Sequence, residues 1–183
     1  EKVNDFRNKY SNKFEIFEAA GQAGLSIGML SALIQAGALQ GFAQSRSKVV
    51  LEAQLWNLLT KREKRYIIPL AEEYNYDLVK ILKHLCEFKD EKNKLVIKES
   101  RFDTIKRKYE PYKAIYIQNN KSESFANWYY ENHLLGYTYG RTLKDIFSDK
   151  YTGLDDINQI EERPIDSRVT TIATIIDTYK GIS

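Results

Sequence analysis

Ser26 to Lys48 reads SIGMLSALIQAGALQGFAQSRSK. Ile27, Leu30, Leu33 and Ile34 recur at helical spacing, which predicts one apolar helix. Gly37, within Ala36-Gly37-Ala38-Leu39, is a natural stop, because glycine readily takes the left-handed conformation that closes a helix. Gly41-Phe42 follows, and Ser45-Arg46-Ser47-Lys48 opens another helix with hydroxyls and cations. The stretch supports two readings. In one it is a helix-hairpin-helix-like element that holds a nucleic-acid backbone, since N–H groups at a helix start satisfy phosphate oxygens without touching a base. In the other it is a tightly packed helical core whose glycines are ordinary caps. Ile27-Gly28-Met29 has the hydrophobic-Gly-hydrophobic form of a hairpin turn, or else places Gly28 inside the helix.

Helical patterning continues on both sides. Phe14, Phe17, Ala19 and Ala20 form an apolar stripe that starts at Asn12, with Glu15 three residues later, and ends at Gly21 and Gly24. After Ser45, the residues Leu51, Leu55, Leu58 and Leu59 give one apolar face, and KREKR at 61–65 reads as that helix's solvated, basic end. A further helix is expected from about Ala71 to Phe88, with Leu78, Ile81, Leu82 and Leu85 inward. Lys89 to Lys94 (KDEKNK) reads as a linker or exposed turn. Phe102 to Tyr116 is a basic helix that Pro111 should interrupt. Asn120 and Glu123 mark another helix start, running to Gly136, and Thr142 with Asp145 should cap a short turn ending at Ile146-Phe147. GLDDINQIEERPID reads as a turn or short helix and then a linker, with Pro164 as a breaker. From Arg168 to Tyr179 the chain turns to Val, Thr and Ile, which is strand chemistry. The expected fold is mainly α, a helical bundle with a terminal strand, organised as 1–66, 67–152 and 153–183.

Composition fits such a fold. Of 183 residues 43% are hydrophobic, enough for a core. Thirteen Tyr and eight Phe supply large side chains for packing or stacking. Net charge is only +3, from 28 Lys+Arg against 25 Asp+Glu, so any argument for nucleic acid must come from local clusters. Cys86 stands alone, which excludes an internal disulfide and fits a reducing, cytoplasmic setting. No apolar run approaches the roughly 20 residues that span a bilayer, so no membrane partner is expected.

Local chemistry points to binding rather than catalysis. Arg46, Lys48, Lys61, Arg62, Lys64 and Arg65 cluster, as do Arg101, Lys106, Arg107 and Lys108. Several cations aimed at one groove give salt-sensitive binding without sequence preference, whereas cations on a solvated helix face do nothing specific. Ser45, Arg46, Ser47 and Lys48 are the candidates for backbone contacts, supported by Lys61, Arg62, Lys64 and Arg65. His84 and His133 lack a metal-spaced partner. Asp155-Asp156 and Glu161-Glu162 are adjacent acids in a linker and are not offered as a metal site. No phosphate loop or nucleophile elbow is present. Gln54-Leu55-Trp56-Asn57-Leu58-Leu59 and Leu143-Lys144-Asp145-Ile146-Phe147 have some features of short clamp-binding peptides. The first should serve a helix core, and the second leaves Leu143, Ile146 and Phe147 as candidate clamp contacts.

Three blocks, taken in order, resemble the bacterial and phage DNA polymerase III alpha subunit, a C-family replicative polymerase. FEIFEAAGQAGLSIGMLSALIQAGALQGFAQSRSKVVLEAQ is similar to the segment after the family's fingers, through Leu33-Ile34-Gln35-Ala36-Gly37-Ala38 and Arg46. NWYYENHLLGYTYGRTL resembles the family's Glu-x-x-Leu-Gly-Phe segment at Glu131, Leu134, Leu135, Gly136 and Tyr137. There the family often continues Ser-Gly-His-Pro-Leu, and this chain has Tyr139-Gly140-Arg141-Thr142-Leu143. RVTTIATIIDTYKGIS is similar to the first strand of the following OB-fold. Little between Ile67 and Asn120 matches. The resemblance implies a fragment between fingers and OB-fold, with the opening residues EKVNDFRNKY as the tail of a helix after a missing Gly-Val-Gly hairpin. It also implies duplex DNA, a sliding clamp and other replisome proteins as partners. The catalytic aspartates and the Mg2+ of the parent nucleotidyltransferase would lie outside this segment. A scaffold that docks a clamp or another replisome protein is the alternative.

Overall fold

The computed structural model describes residues 9–39 and 45–175. The expected Gly41-Phe42 turn, most of the opening helix tail and the end of the expected strand lie outside those residues. The described chain is mainly helical: α1 (Lys13–Gln22), α2 (Ile27–Gln35), α3 (Arg46–Asn57), α4 (Lys61–Ile67), α5 (Leu78–Glu87), α6 (Glu99–Asn120), α7 (Glu123–Leu135) and α8 (Leu143–Phe147). Short 3-10 turns span Ile68–Leu70 and Ile157–Glu162. No helix among the described residues is long and apolar enough to cross a membrane. The chain divides into two compact units, 1–123 and 124–183.

In the first unit Asn12 and Ser45 cap the helices that the sequence opens at them. Asn12 accepts from the Phe14 and Glu15 N–H groups, while the Glu15 carboxylate reaches back to the Ser11 N–H at 2.8 Å. α1 and α2 end alike. Gly24 and Gly37 take φ of 78° and 94°, and the following N–H groups bond back to Ala20 and Leu33. That is the reversal in which glycine avoids a Cβ clash and orphan carbonyls find donors. Gly21, expected to help end α1, lies inside it.

The core of this unit joins α1 to α6. Phe14 stacks on Trp56 at 5.0 Å and 11°, and Phe17 tilts against the same indole at 6.4 Å. Leu30, Ile34, Val49, Ala53, Leu55, Ile67, Leu78, Ile81, Leu82, Leu85, Ile97 and Ile105 close around them. Leu33, on the expected apolar face of α2, is exposed. Burying a Leu or Ile side chain stabilises by about 1.5–3 kcal/mol, so this shared cluster holds the short helices that would not persist alone. An ion pair lies within it: Lys13 bonds to Glu52, which also accepts from the Leu78 N–H at 3.3 Å. Burial raises the Glu52 pKa despite that lysine.

Three local expectations change here. KREKR is not the end of α3 but a separate helix. Thr60 caps it, and Glu63 completes a capping box. The helix expected from Ala71 starts instead at Leu78, because Asn75 and Tyr76 take φ of 49° and 55° and Asp77 provides the cap. Pro111 does not interrupt α6, which runs on through Asn120. Pro111 is exposed, so the carbonyl that loses its donor stays in water. The Lys89–Lys94 segment takes the exposed-turn alternative, with Lys89 bridged to Leu95 and Val96 and Ile97 entering the core.

In the second unit, α7 ends at Gly136 with φ of 78°. Phe125 packs against Trp128 and Phe147 at 5.8 Å each. Thr142 and Asp145 form the expected capping box at α8. Residues 168–175 form no strand. The Asp155 N–H donates to the Thr170 carbonyl, and Asp155 accepts from the Thr170 N–H at 2.9 Å.

Candidate nucleic-acid interface

Helix α3 opens at Ser45, whose hydroxyl accepts from the Lys48 N–H at 3.1 Å. The Ser47 N–H donates to Oε1 of Glu123, also at 3.1 Å. A carboxylate from this chain thus lies at the helix start, where the partial positive charge of the N-terminus favours an anion. Arg46 is buried, and its Nη1 donates to the Gln35 carbonyl at 3.1 Å. Ser47 is buried as well. Lys48 pairs with Asp77 at 3.4 Å. Burial opposes ionisation of Asp77, yet the Lys80 N–H and then Lys48 hold its carboxyl below the usual range. The four residues that the sequence groups here stay together, and all four are engaged within the chain.

α4 is different. Lys61, Arg62 and Arg65 are exposed, and Lys61 and Arg65 lie one turn apart on one face. Lys64 is half-buried, bonded to Glu18 at 3.0 Å and lying 4.9 Å over the Trp56 ring. Its proximity holds the Glu18 carboxyl below its usual range. Arg62 Nη2 pairs with Asp90 Oδ2 at 3.0 Å.

Asp90 organises the turn at Lys89–Lys94, which the sequence marks as a linker or exposed turn. Its Oδ1 accepts from the Lys92 and Lys94 N–H groups at 3.0 Å, and its own N–H donates to the Lys94 carbonyl at 2.8 Å. The Lys94 and Lys92 donors, with Arg62, hold its carboxyl below the usual range. Lys89, Lys92 and Lys94 are exposed on this turn, along with Glu91. The Arg62–Asp90 pair therefore brings a second cluster of cations beside α4. Its signal in the sequence is the aspartate ahead of Lys92 and Lys94, since Asp readily bonds the backbone two residues on.

Of the other basic group, Lys106, Arg107 and Lys108 are exposed on α6. Arg101 instead binds Glu63 and the Leu58 carbonyl. His84 lies between the Tyr74 and Phe88 rings at 5.4 and 5.6 Å, and His133 stacks on Tyr129 at 5.8 Å. Gln54 bonds to Ser31, while Leu55 and Trp56 are core residues, so that clamp-like peptide serves packing. Leu143, Ile146 and Phe147 share α8 and are half-buried, with the Phe147 ring against Phe125.

The sequence matches no protein-family model, no curated protein and no solved structure.

Proposed function

We propose that this chain is a duplex-DNA-binding, clamp-proximal module of a replicative DNA polymerase. The observation that carries the reading is the paired cationic surface of Lys61, Arg62 and Arg65 on α4 with Lys89, Lys92 and Lys94 on the adjoining turn. Such a surface suits phosphate oxygens and needs no base contact. The three blocks that resemble the polymerase III alpha subunit give the surface its context. In this reading α2 and α3 are the helix-hairpin-helix-like pair. Ser45 to Lys48 brace it through Glu123, Gln35 and Asp77, and α4 and the turn meet the phosphates. Nucleotidyl transfer, and the Mg2+ it uses, belong to the parent enzyme's palm.

The test is duplex affinity of the full chain across a salt series. Affinity should fall linearly in log–log form, and a Lys61→Ala/Arg65→Ala variant should make the slope shallower by about 0.9 for each phosphate no longer neutralised. A flat salt response in the parent chain sinks the reading.

A second reading, a scaffold that docks a sliding clamp, draws on the incomplete burial of Leu143, Ile146 and Phe147. Full clamp binding by an Ile146→Ala/Phe147→Ala variant would remove it.

A further inference from the structure

Glu131 is only 2% exposed, and its carboxylate is turned toward the backbone of the segment that follows α7. Oε2 accepts from the Tyr139 and Gly140 N–H groups, both at 3.2 Å. A Cβ on Gly140 would meet that carboxylate at 3.3 Å. Burying a carboxylate is costly unless donors satisfy it. Here two of those donors come from a loop, so the buried acid fixes the backbone between Gly136 and Arg141. Gly136 sets the loop's entry with φ of 78°.

The loop's large side chains reach solvent. Tyr137 is 62% exposed and Tyr139 51%, and Arg141 is exposed after them. Lys144 follows in the first turn of α8. The nearby acid, Asp145, faces its own helix start, accepting from the Thr142 N–H and hydroxyl at 3.0 and 2.7 Å. Two presented rings, followed by two cations and an inward-turned acid, sit on a backbone that is already ordered. Ordering before binding removes much of the entropy that a loop otherwise loses on contact.

We propose that the Gly136–Arg141 loop is a binding site for single-stranded nucleic acid. Unpaired bases offer flat faces for Tyr137 and Tyr139, and the flanking phosphates suit Arg141 and Lys144. Aromatic platforms combined with cations are the usual means of holding a single strand without reading its sequence. A duplex hides its base faces and gives the tyrosines nothing to stack on. The site shares no residue with the cationic surface of α4 and stands on the second unit's own geometry.

The experiment measures fluorescence anisotropy of a labelled oligothymidylate of about 12 nucleotides, a length within single-module site sizes. It uses the full chain. Tyr137→Ala/Tyr139→Ala should weaken binding at least tenfold, since stacking contributes about 1–3 kcal/mol per base. Tyr137→Phe/Tyr139→Phe should retain binding, because stacking needs the ring and not the hydroxyl. Arg141→Ala should make the salt slope shallower by about 0.7. Thermal melts run beside the isotherms make any loss of fold visible. The proposal is overturned if the alanine pair binds the strand like the parent, if the phenylalanine pair loses as much as the alanine pair, or if no strand binding occurs. It is also overturned if Lys61→Ala/Arg65→Ala weakens strand binding equally, for the strand would then lie on α4. Strand binding that persists without duplex binding would support this site while removing the duplex reading.

Discussion

Arg101 grips Glu63 across 38 residues of sequence, through Nε at 2.7 Å and Nη2 at 2.9 Å, and the same Nη2 reaches the Leu58 carbonyl at 2.8 Å. This single guanidinium joins the start of α6 to the end of α3 and the first turn of α4. Arginine suits the place because its planar fork matches a carboxylate with two parallel bonds.

Arg101→Ala should therefore lower stability by about 2–4 kcal/mol at neutral pH, because it leaves the nearly buried Glu63 carboxylate short of its partner. The pH dependence has a definite sign. Burial opposes charge on Glu63, but Arg101 and then Thr60 outweigh it and hold the carboxyl below its usual value. A depressed carboxyl pKa contributes stability above the unfolded value, roughly 4.3, and loses it as pH falls through the folded value. Urea unfolding from pH 7 down to about pH 3 should show that acid loss in the parent chain and a shallower one in the variant. Equal acid slopes would assign the loss to other carboxylates.

The two basic groups should part company. Arg46→Ala removes a buried side chain bonded to the Gln35 carbonyl and should cost about 1–3 kcal/mol of stability. Lys61→Ala/Arg65→Ala changes exposed side chains and should leave stability within about 0.5 kcal/mol while weakening duplex binding. Thermal melts beside binding isotherms separate the two. A melt of the α4 variant as low as that of Arg46→Ala would contradict the division.

Pro111→Ala should stabilise the chain by about 1–3 kcal/mol. The proline is exposed in the middle of a 22-residue helix, where alanine restores a backbone donor and relieves the ring's crowding of the preceding turn. Chemical denaturation gives the sign directly, and a destabilised variant would mean that α6 needs the local distortion.

Gly136→Ala should destabilise the second unit by about 1–2 kcal/mol, since φ of 78° places a Cβ against the following carbonyl. Nothing described lies within 4 Å of the added atom, so the whole effect should be conformational. Gly136→Asn, which tolerates that region better, should recover part of it. An alanine variant as stable as the parent chain would show that the loop relaxes.

Much of the helical plan is legible because it repeats at short range. Leu78, Ile81, Leu82 and Leu85 lie one turn apart and are all buried, and Asn12, Ser45 and Thr142 sit at helix starts as their side chains require. Illegible features depend on partners far along the chain. KREKR is the exception: it is readable as a new helix from Thr60 and Glu63, a capping box three residues apart, and only the Arg101 bond that fixes Glu63 from α6 is long-range. KDEKNK reads as a linker or exposed turn, but nothing nearby in sequence shows that Asp90 meets Arg62. The burial of Glu52 and Glu131 is accounted for by Lys13, 39 residues from Glu52, and by the Tyr139 and Gly140 N–H groups. The same limit holds for the site. Sequence gathers Ser45 to Lys48 as cations and hydroxyls for a ligand, but the fold supplies those groups with partners of its own.

The bond from the Ser47 N–H to Glu123 has a practical edge. Glu123 is the last residue of the first compact unit, so a chain truncated after it keeps the acceptor that the opening of α3 uses. Truncation one residue earlier removes that acceptor while sparing every other residue of the unit. A boundary chosen for preparing this unit by itself should therefore lie beyond Glu123.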